Sequence, residues 1–307
     1  MLDREAAWRS ALYGPDGFFT RGERPSDHFR TAPLIGPELA SALLELLARV
    51  DRALGSPPVV DFVDVGAGGG ELAAAVRALA TGSLGSRLQV TAVDVGPRVE
   101  LPGVRWTSSV PSCIGLLVAH EWLDAIPCPV VRGPSDDPWL ASWWPLEAGG
   151  WAEVGAPRDE AWTSAVAAVT GAALAIDYGH TIECRRPTLT GYRDGRQVEP
   201  VFDGSCDITA HVAFDSAAAA AGGDHVLISQ RDALPALGLA GDVPPLSDPM
   251  AWLSATARAG RIAELRAVGG LGDFGWLLHA TGPVRVADLL PPLPAWRPNP
   301  ASFPGPR

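Results

Sequence analysis

Lysine is absent from this chain of 307 residues, so every one of its 24 basic side chains is arginine. That excludes imine chemistry through a lysine amine and a P-loop lysine on a phosphate. The deficit fits the coding bias of a G+C-rich genome. Cysteine is sparse too: Cys113, Cys128, Cys184 and Cys206 are scattered, with no C-x-x-C pair, which speaks against a zinc site or a disulfide framework. No apolar run approaches the ~18 residues that span a bilayer. The opening Met1-Leu2-Asp3-Arg4-Glu5 has no apolar signal region. The reading is therefore cytoplasmic, with no membrane partner. Positive charge is scarce overall: the net charge of −11 argues against wrapping a nucleic-acid backbone. It is compatible with a cationic partner and equally with an ordinary acidic surface.

A hydrophobic content of 47% against 19% charged residues describes a globular chain, long enough for one large domain or one and a half. It is organised around Val59-Val60-Asp61-Phe62-Val63-Asp64-Val65-Gly66-Ala67-Gly68-Gly69-Gly70-Glu71-Leu72. A valine-rich run of this length reads as a buried parallel strand, and residues 71–80 read as a helix. Strand, glycine turn and helix open a nucleotide-binding βαβ unit, in which glycines turn the backbone sharply and let a ligand approach it. The spacing is G-x-G-x-G over Gly66, Gly68 and Gly70 rather than the dinucleotide G-x-G-x-x-G. It is commoner where S-adenosylmethionine is bound. Asp94 ends the next strand-like run, 88–93, and can take both ribose hydroxyls. Taken alone, the turn and the acid leave S-adenosylmethionine and NAD about equally open.

Before this unit, residues 1–33 read as a loop of glycine, proline and charge. It retains Tyr13, Phe18, Phe19 and Phe29, so it is either an arm packed on the core or a lid over a cofactor. Pro37-Glu38 starts a helix, with Leu39, Leu43, Leu46, Leu47 and Val50 at helical spacing. Beyond it, residues 103–106 read as a short third strand. A fourth, 114–119, delivers His120, Glu121 and Asp124 to a carboxyl end, where ligands of open α/β sheets sit. Trp139, Trp143, Trp144 and Trp151 mark an antiparallel excursion turning at Gly149-Gly150. A helix over 158–170 and a fifth strand over 172–176 follow, ending at Asp177-Tyr178-Gly179. His211 is placed on a helix, 225–229 on a strand, 248–267 on a helix and 274–279 on a closing strand. The proline-rich 286–307 reads as a loose tail. The domain reading is an arm or lid over 1–36 and one catalytic domain over 37–285. Insertions are placed around 129–156 and 180–222.

Several segments, in order, resemble one family: the S-adenosylmethionine-dependent methyltransferases related to the mitochondrial complex I assembly factor that methylates an arginine, with their bacterial homologues. They are residues 11–19, Phe29-Arg30-Thr31-Ala32-Pro33, Val65–Gly70, Glu121-Trp122-Leu123-Asp124-Ala125-Ile126-Pro127, Asp177-Tyr178-Gly179, Thr190-Gly191-Tyr192, Asp207-Ile208-Thr209-Ala210-His211-Val212 and 230–239. The resemblance implies an α/β fold of the class I, Rossmann-like methyltransferase type, with a seven-stranded sheet, an N-terminal arm and an inserted subdomain. It implies S-adenosylmethionine held by Gly66, Ala67, Gly68 and Gly70, with Asp94 on the ribose and Thr31 and Pro33 on an arm closing over it. Glu121 and Asp124 would line the acceptor pocket. The chain departs from the family at Asp27-His28, Leu34, His120 and Arg193, so cofactor positions match better than acceptor positions.

An arginine acceptor, with a pKa above ~12, needs carboxylates to orient its guanidinium. Glu121 and Asp124, three apart and on one face if helical, supply them. His120 is read either as a general base near neutral pH or as a hydrogen-bonding pocket wall. The reading is a methyltransferase acting on a protein side chain, arginine first, with no metal; a homodimer is compatible with it. One rival is a cofactor-binding assembly protein without turnover. A second is an NAD-dependent oxidoreductase.

Overall fold

The computed structural model describes residues 4–23, 32–242 and 249–299. The valine-, leucine- and alanine-rich runs form a seven-stranded sheet of β1 (Val60–Val65), β2 (Leu88–Val93), β3 (Val104–Thr107), β4 (Cys113–His120), β5 (Val169–Asp177), β6 (Asp224–Ser229) and β7 (Gly275–Ala280). Its order is β3-β2-β1-β4-β5-β7-β6. β1 runs parallel to both β2 and β4, whereas β7 is antiparallel to β5 and β6. This is the seven-stranded α/β sheet expected from the sequence. The order reverses at β1 and β4, and a crevice opens beyond the carboxyl ends of strands at such a switch point.

Helices cover both faces. The N-terminal stretch, read above as loop, instead contains α1 (Arg4–Tyr13). Trp8 and Leu12 are fully buried against Ile208 and Ala210, and Trp8 Nε1 donates to Ile208 O at 3.0 Å. α2 (Glu38–Ala53) begins after Pro37. Its Leu39, Leu43, Leu46, Leu47 and Val50 are all buried against the sheet, each worth roughly 1.5–3 kcal/mol. α3 (Glu71–Leu79) shares that face through Leu72, Ala73 and Val76. On the other face lie α4 (Ala156–Ala167) and α5 (Phe214–Ala221), which bury Trp162 and Phe214.

Short sheets project beyond β4 and β5. Val130–Arg132 pairs antiparallel with Trp151–Glu153, so the excursion is present. It is not a tight hairpin at Gly149-Gly150, because a helix over Pro138–Trp143 intervenes. Thr190–Arg193 pairs with Arg196–Val198 and with Asp207–Thr209. His211 follows this last strand rather than sitting on a helix. Its main-chain N–H donates to Thr188 Oγ1 at 2.9 Å, which fixes it in the insertion. The described part of the proline-rich end is packed rather than loose. Leu289, Leu290 and Trp296 are buried, and Trp296 Nε1 donates to Asp273 O at 2.9 Å. Among the described residues, no helix is long and apolar enough to cross a membrane.

Candidate active site

β1 ends at Val65 and the chain turns through Gly66–Gly70 into α3. The main-chain N–H groups of Gly66 and Ala67 both donate to Val93 O, at 2.9 and 3.1 Å, tying the turn to the end of β2. Gly68 has φ +56°, and a Cβ there would meet no protein atom within 4 Å. It faces a cavity of about 380 Å³ at the carboxyl ends of β1, β2 and β4, within the ~300–1,000 Å³ usual for small-molecule sites. Gly70 serves differently. It is not on the cavity wall; at φ +78° it turns the chain into α3, beneath Leu101. Gly69 lines the cavity in its place.

Asp94 stands over the loop. Its Oδ2 accepts from Gly68 N at 2.8 Å and its Oδ1 from Gly96 N at 2.7 Å. Two main-chain donors thus fix the carboxylate and leave each oxygen a further lone pair for a ligand hydroxyl. Asp64, at the end of β1, accepts from Ala73 N at 3.2 Å, and burial pushes its carboxyl up to about 7. Tyr13, Phe19, Glu23 and Pro33 wall the cavity from the N-terminal segment, and Tyr13 Oη donates to Ala125 O at 3.1 Å. Thr31 lies outside the described residues.

The far end of the same cavity is lined by His120, Glu121, Asp124, Tyr178, Asp207 and Thr209. Glu121 and Asp124 are not on a helix, as the one-face argument required. The chain breaks at once after β4, and Glu121 takes φ +50°, an uncommon conformation for a residue with a Cβ. Its N–H donates to Ile176 O at 2.9 Å, so the strained residue is pinned to β5. Asp177 then holds the turn: its Oδ2 accepts from Leu123 N and Asp124 N, both at 3.2 Å. Tyr178 Oη donates to Asp124 Oδ2 and lies 3.0 Å from Thr209 Oγ1.

These groups are electrostatically unusual. Burial, then the neighbouring Asp124 and Asp207, push the Glu121 carboxyl up to about 8. Burial and Asp124 push Asp207 to about 8. Burial also raises Asp124, against the Tyr178 hydrogen bond that lowers it. His120 goes the other way: burial depresses its imidazole to about 4, so it is neutral at pH 7. Its Nδ1 lies 3.4 Å from Glu121 Oε1, and its Nε2 has no hydrogen-bond partner. A buried imidazole this weakly basic suits the pocket-wall role better than that of general base.

Two residues of this constellation were not anticipated. Asp207 arrives on an insertion strand. Arg158, on α4, donates to the carbonyls of Ile126 (3.1 Å), Ala210 (2.8 Å), His211 (2.9 Å) and Asp124 (2.7 Å). It clamps the turn after β4 to the Asp207 segment. Of the residues expected at a site, the structure brings Gly66, Ala67, Gly68, Asp94, Pro33, His120, Glu121 and Asp124 to one cavity.

A family model described as "Putative S-adenosyl-L-methionine-dependent methyltransferase" matches residues 141–230. Two solved structures from Burkholderia thailandensis share the fold. One, described as a "likely methyl transferase" bound to S-adenosyl-homocysteine, is 23% identical with a TM-score of 0.71, covering 92% of this chain and 88% of its own. The other, an uncharacterized protein of the same superfamily, is 24% identical with a TM-score of 0.73, covering 94% of this chain and 90% of its own. No curated protein matches the chain. What these likenesses establish is the fold: a Rossmann-like α/β sheet of the methyltransferase type.

Proposed function

We propose that this chain transfers a methyl group from S-adenosylmethionine to a protein side chain, with arginine the first candidate. One observation carries the reading: a glycine turn open to ligand and a set of buried carboxylates share a single cavity. The Burkholderia neighbour that holds S-adenosyl-homocysteine supports the choice of cofactor. Gly66, Ala67, Gly68 and Gly69 would hold its amino-acid portion and Asp94 its ribose, the carboxylate being already oriented by Gly68 N and Gly96 N. When bound, the cofactor supplies an electrophilic methyl on a sulfonium.

The chain's own task is to hold an acceptor nitrogen in line with that methyl. Positioning of this kind is worth up to roughly 7–11 kcal/mol. Glu121 and Asp124 would accept hydrogen bonds from a guanidinium, and Tyr178 and Asp177 keep Asp124 in place. Methylated guanidinium keeps its single positive charge, so one proton must leave. Glu121, raised to about 8, is matched to take it when ionised. The resemblance to the complex I assembly-factor methyltransferases favours a protein acceptor. The departures from the family at acceptor positions such as His120 favour a second reading, a cofactor-binding assembly protein without turnover. Transfer of labelled methyl from S-adenosylmethionine to arginine of any protein acceptor decides between them. The transfer must be lost in Glu121→Gln while affinity for S-adenosylhomocysteine persists. Affinity without transfer would favour the second reading.

A further inference from the structure

The geometry points to Asp207 as a specificity-determining residue. From the inserted strand it adds a third carboxylate to Glu121 and Asp124, so that the acceptor end admits a cation with several N–H donors and rejects its neutral isostere. This rests on the methyltransferase reading above, which names the cofactor but assigns Asp207 nothing.

Three observations carry it. Asp207 is 2% exposed and lines the cavity with Glu121 and Asp124, and its Oδ1 has no hydrogen-bond partner, as is also true of Asp124 Oδ1, while Glu121 Oε1 has His120 Nδ1 at 3.4 Å. Buried polar atoms are almost always satisfied. Second, the position is fixed. Ile208 O accepts from Trp8, Ala210 O accepts from Arg158, and Thr209 lies beside the Tyr178 hydroxyl. The strand that carries Asp207 is thus held from three sides, and the residue is buried rather than a solvated surface acid. Third, the Arg158 charge lowers Asp124 but Arg158 makes no salt bridge to the cluster. Its four hydrogen bonds go to main-chain carbonyls, and its guanidinium lies 5.6 Å from the Trp8 ring centroid. Buried carboxylates without a salt bridge are costly in the charged form, and burial accordingly favours the protonated form of Glu121 and Asp207 in the free protein. A guanidinium presents five N–H donors in a planar fork and can reach acceptors on two elements at once.

The test is calorimetric titration of the intact protein, loaded with S-adenosylhomocysteine, with N-acetyl-arginine amide and with N-acetyl-citrulline amide. Citrulline has the same shape without the charge. Arginine is expected to bind about tenfold tighter or more, as hydrogen bonds to charged groups imply. Asp207→Asn should remove most of that preference while S-adenosylhomocysteine affinity stays within about twofold. Asp207→Glu should restore part of it. Equal binding of the two probes, no arginine binding at millimolar concentration, or an unchanged preference in Asp207→Asn would overturn the proposal. If S-adenosylhomocysteine itself fails to bind, the methyltransferase reading falls. The same two titrations on the free protein then still decide the role of Asp207.

Discussion

Replacing Gly68 with alanine separates a glycine kept for a ligand from one kept for the fold. At φ +56° an alanine is strained by about 1–2 kcal/mol, which would lower the melting temperature by a few degrees. Its methyl meets no protein atom within 4 Å, so no packing cost adds to that strain. The group projects into the cavity, where it would occupy space needed by the cofactor. Affinity for S-adenosylhomocysteine should therefore fall at least about tenfold, or 1.4 kcal/mol, beyond the loss of stability. Gly70→Ala is the control. There a Cβ would lie 2.4 Å from Leu101 Cδ1 and 3.2 Å from Trp106 at φ +78°, so folding stability should drop with or without ligand. Thermal unfolding and calorimetric titration of both variants measure the two quantities independently. An alanine at 68 that leaves affinity within about twofold would refute the reasoning, because the loop would then not be where the ligand approaches.

Arg158→Met should cost at least about 3 kcal/mol in chemical denaturation, since it leaves two buried and two part-buried carbonyls without their charged donor. A loss under about 1 kcal/mol would mean that water replaces the guanidinium. Trp8→Ala should cost about 3–5 kcal/mol, because the fully buried indole joins α1 to the inserted strand; an unchanged denaturation midpoint would sink the idea that α1 is integral to the fold. Stability of the ligand-free protein should fall as pH rises from 6.5 to 8. Glu121 and Asp207, and to a lesser extent Asp64, carry folded pKa values above their unfolded ones, so the native state holds more protons there and loses that advantage on ionisation. His120 and His211, depressed to about 4 and about 3, contribute their loss only below pH 6.5. A denaturation midpoint that rises over pH 6.5–8 would contradict these assignments.

What was legible in the sequence follows the range of the interactions. β1, β4 and β5 stood out because a strand buried on both faces must be apolar along its length. Leu39 to Val50 stood out because one helical stripe faces the sheet. The glycine turn, Asp94 and the His120–Asp124 segment were found by their place at strand ends, a property of topology rather than of local composition. Residues 4–13 read as loop because the glycines and prolines that follow dominate that stretch. Their helix is held by Trp8 and Leu12 packing on residues about 200 positions away. Trp296 likewise packs on Phe214, at a ring-centroid distance of 5.2 Å, which no reading of a proline-rich end would reveal. His211 was drawn into the alanine-rich run beside it, although β-pairing on both sides decides its conformation. Arg158 carries no local signal, and Asp207 stood only within a segment that resembles the family, with no role attached. One sits in a helical stretch of mixed charge, the other at the start of a short strand, and only the fold brings them beside Asp124.

The central claim, that the cavity at the carboxyl ends of β1, β2 and β4 is a cofactor site, is tested most directly by one calorimetric experiment. Purified protein is titrated with S-adenosylmethionine and with S-adenosylhomocysteine, and the titrations are repeated on Asp94→Ala. The account predicts saturable one-to-one binding of both ligands, weakened at least about tenfold in the variant. No binding of either ligand to the unaltered protein, or full affinity in Asp94→Ala, would contradict it.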